Sequence, residues 1–366
     1  MSIAPSKDHP DTGYRGNLVK DTKTMNAWIA RRAPEAALEP ALPIIDSHTH
    51  FWDLQTFGSR YLFDDMRDDV LHSGHNVEAT VFIEAAAMYR AKGPEHLKSI
   101  GEVEFARGMA AMADSGLYGN CRMAAVIVGQ VDLRLGDAAG EVLDIAMDAA
   151  GGRFRGVRHQ TPFDNGEIGS YLRHRMPEHL LRDATFQVGA AQLAKRNLSL
   201  DAWLFHPQLE DVAVLAGALP DLRIVVNHVG GMLGVGPYRG RRDEVFTQWR
   251  KGMTDLARHP NVHVKLGGMG MPLFGHDLHL RDDPPDSQTL AAAWKPVIDT
   301  CIELFGAQRC MLESNFPVDK QAYGYSEVWN AFKRITASLS ATERAQLFKR
   351  TAANFYRMDD NKEHKQ

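Results

Sequence analysis

The sequence predicts an α/β protein, a (β/α)8 TIM barrel with an N-terminal extension. Eight short runs rich in β-branched and apolar residues recur along the chain, and longer helical patterns separate them, as in a parallel sheet built from βαβ units. A doubly wound open sheet would normally place a glycine-rich phosphate turn after an early strand, and none is visible.

Residues 1–40 are polar, proline-containing and weakly periodic, which reads as an arm with Trp28 and Ile29 as anchors. The barrel is expected over 41–357, followed by a polar tail, 358–366. Its strands are expected at 44–51, 79–86, 123–131, 154–159, 199–206, 222–228, 261–267 and 310–316. Helices are expected between and after them at 99–115, 138–149, 183–196, 207–219, 243–258, 291–305 and 326–336. Long connections follow strand 1 (51–76), strand 4 (160–182) and strand 7 (269–287), all on the rim where barrel active sites are built.

The composition narrows the functional classes. A chain of 366 residues, 44% hydrophobic and 24% charged, suits one large globular domain. Its net charge of -4 and lack of a basic, aromatic-interleaved cluster argue against nucleic acid. No stretch approaches the roughly 18 to 20 apolar residues of a membrane span, and the N-terminus lacks a signal pattern. Cys121, Cys301 and Cys310 are too few and too scattered for a disulfide framework, so a reducing, cytoplasmic setting is expected. The arm, with Trp249 and Trp329 read as exposed, suits a homodimer.

Polar residues recur at the strand ends. In strand 1, Asp46, His48 and His50 alternate with Ile45, Ser47 and Thr49, so the first three are expected on one face. Two imidazoles converging on one point suit a divalent metal, with Asp46 as an acceptor that orients a ring; alternatively they are two histidines in a polar strand end. Glu84 follows on strand 2, Arg158 and His159 on opposite faces of strand 4, and His206 on strand 5. Asn227 and His228 close strand 6 before Gly230-Gly231, whose bare backbone could approach a ligand. Lys265 lies on strand 7, and Glu313 and Asn315 on strand 8. In a closed barrel these ends meet.

Arg158 suits a substrate carboxylate or a buried ion pair, and Lys265 and Glu84 are divided in the same way. Arg173-His174-Arg175 reads as part of an acid-binding lid or as a solvated face.

The segments IIDSHTHFWD (44–53), FRGVRHQ (154–160), LFHPQ (204–208), IVVNHVGG (224–231), NVHVKLGGM (261–269) and RCMLESNFPVD (309–319) carry a resemblance. In their order and spacing the chain resembles the amidohydrolase-related (amidohydrolase 2) metal-dependent hydrolases, in the branch that includes sugar-lactone hydrolases and the pyrone dicarboxylate lactonase. The resemblance implies that His48 and His50 take the strand 1 ligand positions, His206 the strand 5 position and His228 the strand 6 position. It also implies a divalent metal, zinc or manganese, at His48, His50 and His206. The family's strand 8 aspartate falls on Asn315, which can neither take a proton at neutral pH nor supply negative charge. Glu313, Asp319 or a histidine is then the candidate base, and a metal-independent mechanism stays open.

The expected activity is hydrolysis of a small carboxylate- or hydroxyl-bearing lactone by water at the barrel mouth. His48, His50, His206, His228, Glu313 and Asn315 are the catalytic candidates; Arg158, Arg173, Arg175, Glu84 and Lys265 are the substrate-binding ones. The alternatives are a decarboxylase or hydratase of a small cyclic acid and a barrel that binds a small acid without turnover.

Overall fold

The computed structural model describes residues 13–358; residues 1–12 of the arm and all but the first residue of the tail lie outside them. Eight parallel strands pair in chain order: β1 (Pro43–Thr49), β2 (Asn76–Ile83), β3 (Arg122–Gly129), β4 (Phe154–Gln160), β5 (Ser199–Trp203), β6 (Arg223–Val226), β7 (Val262–Leu266) and β8 (Cys310–Leu312). Beyond β8 the chain meets β1 again. Thr49 bridges Phe316, the His50 N–H donates to the Phe316 carbonyl at 2.8 Å, and the Asn315 N–H donates to the His48 carbonyl at 3.0 Å. The sheet is therefore a TIM barrel, brought round on itself where the candidate residues lie.

Two apolar layers hold it together. Outside the sheet, helices Ile100–Asp114, Ala139–Ala149, Ala184–Lys195, Leu209–Ala218, Arg242–Ala257 and Ser287–Phe305 pack against outward strand residues. Inside, Ile45, Val81, Ile83, Val128, Val225 and Met311 pack together, with Phe355 and Tyr356 in the same cluster. Each fully buried side chain of this kind contributes about 1.5–3 kcal/mol.

The seven expected helices are present within a few residues of their boundaries. Helix Phe63–His72, inside the first long connection, was not expected. Phe63, Met66 and Val70 bury one narrow stripe, and Asp64 and Asp65 occupy the first turn, where the helix dipole favours negative charge. Helix Thr22–Ile29 starts on Asp21, which caps the Thr24 N–H at 2.8 Å, and Trp28 is buried with its Nε1 donating to the Arg281 carbonyl at 2.9 Å. Trp249 and Trp329 are fully buried, not exposed, so neither offers a dimer surface. No helix of the described residues is long and apolar enough to cross a membrane.

One irregularity matters for the site. Asp46 pairs with Thr80 and Thr49 with Phe82, so β1 carries one residue more than β2 over this step. Ile45 packs with Val81, Ile83 and Met311 inside the barrel, and the bulge lets His48 and His50 face inward as well. Asp46 is turned away. It accepts from the Ser314 N–H at 2.9 Å and from the Tyr325 hydroxyl at 2.9 Å, and it bonds neither imidazole ring. The expectation of a shared Asp46–His48–His50 face fails because simple alternation does not count an inserted residue.

Candidate active site

A cavity of about 420 Å³ opens at the C-terminal ends of the strands, within the size range of small-molecule sites. His50, Arg158, His228, Asn315 and Arg173 are on its wall, as expected from sequence. Trp52, Phe57, Tyr171 and Trp203 supply aromatic surface, and Gln160 adds an amide. Among the described residues none of the lining side chains is acidic, whereas three are arginines: Arg15, Arg158 and Arg173.

A hydrogen bond fixes the His50 tautomer. His50 Nδ1 lies 2.8 Å from the Ile83 carbonyl, which can only accept, so Nδ1 carries the hydrogen and Nε2 is bare. His48 Nε2 lies 3.3 Å from the Arg158 guanidinium and its Nδ1 3.4 Å from Lys265 Nζ, both donors only, so a neutral His48 ring accepts from one of the two. The His48 and His50 Nε2 atoms stand 3.2 Å apart. Burial holds the pKa values of His48, His50 and His228 well below the ordinary 6.5, and the cations Lys265 and Arg158 add to the effect, so the rings are neutral.

Glu313 lies behind this wall, fully buried. Its Oε1 takes His228 Nδ1 at 2.7 Å and the His228 N–H at 3.2 Å. Its Oε2 is 2.9 Å from His48 Nδ1 but out of line for a hydrogen bond, and it has no donor. Burial pushes the carboxyl up to about 8, against the pull of Lys265 and the His228 N–H. Gly268, at φ +69°, leaves room for this arrangement, because a Cβ there would lie 2.2 Å from His228 Nδ1.

Asn315 also sits in left-handed backbone, at φ 57°. Its Nδ2 donates to Asp319 Oδ1 at 3.0 Å, while its Oδ1 is buried without a partner. Asp319, pushed up to about 7 by burial, is further held by the Gly270 N–H and the Tyr323 hydroxyl and does not line the cavity.

Other candidates are placed differently. His206 is neither on the cavity wall nor in the histidine cluster: its ring meets Tyr238 at 5.1 Å and its Nδ1 accepts from the Leu233 N–H. The reason is register, since β5 ends at Trp203 and alternation brings Trp203 into the mouth, against His228 at 4.8 Å. Gly231 serves packing, because a Cβ there would lie 2.1 Å from the Leu204 carbonyl oxygen. Glu84 is buried and positions two cavity residues, accepting Arg158 Nε at 2.6 Å and Gln160 Nε2 at 3.0 Å. Lys265 is fully buried, ion-paired with Asp201 at 2.7 Å and bonded to the Ser47 carbonyl, outside the cavity wall. Arg173 lies over Phe57, whereas Arg175 and His174 are exposed and do not line the cavity. Arg158 and His159 do face opposite ways, His159 meeting Phe186 at 5.1 Å behind the sheet.

A candidate metal site exists, but with a different membership from the expected His48–His50–His206. His48, His228 and Glu313 bring ligand atoms within 4.8 Å of one another. The donors fit a cation: the bare His50 Nε2 stands 3.2 Å from His48 Nε2, and two oxygens, Glu313 Oε2 and Asn315 Oδ1, are buried without a donor.

Comparison with known proteins agrees with this architecture. A sequence model of the amidohydrolase family matches residues 45–358. The chain is 33% identical to an uncharacterized protein of Sinorhizobium fredii, over 87% of this chain and 99% of that one. It is 29% identical to an L-fucono-1,5-lactonase of Burkholderia multivorans, over 86% and 96% of the respective chains. Among solved structures it resembles an amidohydrolase of Burkholderia multivorans with bound zinc, with a TM-score of 0.65 and 25% identity, covering 86% of this chain and 99% of that one. With the barrel complete and the match running through all eight strands, the chain belongs to the amidohydrolase family.

Proposed function

We propose that this protein hydrolyses a small lactone bearing a carboxylate, by attack of water at the mouth of the barrel. The observation that carries the reading is His228, bonded to Glu313 at 2.7 Å, facing a cavity whose described lining residues include three arginines and no acid. The likeness to lactonase-named relatives supports it.

Glu313 does not reach the cavity, so His228 is the group that meets the water. With its Nδ1 hydrogen on Glu313, the other ring nitrogen is free to take the proton of the attacking water. Asn315 Oδ1 accepts the water's second hydrogen and orients it. Water oxygen bonds to the carbonyl carbon, and the oxyanion that forms is stabilised by the Arg158 guanidinium, which Glu84 holds in place. Collapse breaks the ring C–O bond, and the departing oxygen takes the proton from His228, giving a hydroxy acid. Glu313 holds the His228 ring through its Nδ1 and is a positioning residue.

A divalent ion would in this reading be held by His48 and His50 rather than by the His48–His228–Glu313 set, which leaves His228 to take the proton, and would supply Lewis-acid polarisation of the carbonyl. Zinc and manganese both suit such donors.

The aromatic wall of Trp52, Phe57 and Trp203 favours a second reading, decarboxylation of a flat aromatic acid. Product analysis separates the two. Ring opening with one water added per turnover supports the lactonase; carbon dioxide release with the ring intact overturns it.

A further inference from the structure

After β2 the chain passes through Glu84, Ala85, Ala86, Ala87 and Met88, and two of these sit in left-handed backbone, Ala86 at φ 53° and Met88 at φ 54°. Residues with a Cβ seldom adopt that conformation, so the turn needs a hold from outside. Glu102, fully buried in the first turn of helix Ile100–Asp114, supplies it: its Oε1 accepts the Ala85 N–H at 2.8 Å and the Ala87 N–H at 2.9 Å, while its Oε2 is buried without a partner. We propose that Glu102 is a positioning residue that sets the Arg158 guanidinium through the peptide group between Glu84 and Ala85. This deepens the lactonase reading and rests on it only for what Arg158 does to the substrate.

A trans peptide group is planar, so its N–H and C=O point in opposite directions and turn together. The N–H of this one, on Ala85, goes to Glu102, and its carbonyl, on Glu84, accepts Arg158 Nη2. Glu84 also takes Arg158 Nε on its side chain at 2.6 Å and is tied to β3, its N–H donating to the Val128 carbonyl at 2.9 Å. Turning the peptide removes one of the two bonds that residue 84 gives to Arg158 and leaves the guanidinium free to swing on the other. The next carbonyl, on Ala85, accepts Arg173 Nη1 at 3.3 Å, so the same loop meets a second guanidinium of the cavity.

Two further features suit Glu102 to this task. A glutamate at the third position of a helix can cap its own first turn; here the carboxyl goes to the loop instead, and Ser99 makes no side-chain cap bond. Gly101 lets the helix start press on the loop, because a Cβ there would lie 2.5 Å from the Met88 carbonyl oxygen. Burial and the nearby Glu84 hold the Glu102 carboxyl above the usual range, so the loop amides meet an acceptor close to neutral, which an amide oxygen reproduces.

The test is hydrogen exchange of the Arg158 Nε–H, followed by NMR in the ¹⁵N-labelled full-length protein and assigned by its loss in Arg158→Lys. It needs no substrate, so it fails separately from the lactonase reading. Glu102→Leu removes the acceptor and Glu102→Asp draws it back by one methylene. Each is expected to speed this exchange about tenfold, the order of one lost hydrogen bond, while the β4 amides exchange as in the native protein. Glu102→Gln keeps the acceptor and is expected to recover most of the protection. Glu102→Asp carries the decision where Glu102→Leu does not fold. An unchanged Arg158 rate in Glu102→Asp, an equal acceleration of the β4 amides, or no recovery in Glu102→Gln overturns the proposal. With an active lactone in hand, Glu102→Asp is further expected to lower kcat about tenfold with KM little changed, and a rise in KM alone would overturn the link to the oxyanion.

Discussion

The mouth and the floor of this barrel both bury charged and polar groups, but they treat them differently. On the floor, Lys265 meets Asp201 at 2.7 Å, and the Asp201 carboxylate is further held by the Tyr356 hydroxyl at 3.0 Å and Asn227 Nδ2 at 3.1 Å. At the mouth, Glu313 Oε2 and Asn315 Oδ1 lack donors, and the His48 and His50 Nε2 atoms meet at 3.2 Å. The floor leaves Asn227 Oδ1 without a donor but closes around its charges; a network closed in this way serves the fold, whereas one that leaves a carboxyl oxygen unpaired is kept open for a ligand.

The largest effect expected from this contrast is on stability, at the floor. Lys265→Met leaves the Asp201 carboxylate buried without its cation, and such a break costs about 3–5 kcal/mol. Urea denaturation measures it; a loss below about 1 kcal/mol would remove the distinction between the two regions.

At the mouth the expected loss is in activity. His228→Asn is expected to lower kcat by about 10²- to 10⁴-fold, the range for removing a general base, with a far smaller change in the urea midpoint than Lys265→Met. A variant that keeps its turnover would move the proton transfer to another residue.

Acid sharpens the comparison outside both regions. His75 is buried, with Lys333 Nζ on its Nδ1 at 2.8 Å and its Nε2 on the Ser326 carbonyl, and burial lowers its pKa to about 4. The unfolded chain, with histidine near 6.5, binds more protons between these values, so stability is full above pH 6.5 and falls as pH drops towards 4. His75 alone accounts for about 2 kcal/mol between pH 7 and 5. His75→Gln is expected to flatten the pH dependence of the denaturation midpoint; an unchanged slope would mean that the ring titrates freely in the fold.

How much of this could be read in advance depended on the local rule each residue obeys. Arg158 follows period-2 alternation within β4, and His228, Glu313 and Asn315 come directly after β6 and β8 where the chain turns, so their convergence was legible. Asp46 was misplaced because a bulge leaves no trace in residue spacing. His206 was misplaced because β5 stops pairing at Trp203, three residues before it. Trp203 itself was findable, since it alternates with Asp201 on the inner face. The contribution of 15–18 to the cavity wall was not legible, because a segment without periodicity takes its place from partners as distant as Gln321.

The smallest expected effect concerns the family position at the end of β8. Asn315→Asp places a second carboxylate against Asp319, whose pKa is already raised to about 7, and like charges this close disfavour ionisation. About a tenfold fall in kcat is expected. A gain would identify Asn315 as a degraded aspartate and leave the barrel closer to a binder of small acids than to a working enzyme.

The central claim is that water held at the His228–Glu313 pair opens a lactone ring. Turnover of a carboxylate-bearing lactone in ¹⁸O-labelled water tests it most directly, with products analysed by mass spectrometry. One labelled oxygen per product, located in the newly formed carboxylate and absent when His228→Asn is used, is the expected result. Label in the new hydroxyl, or carbon dioxide released from an intact ring, would contradict the account.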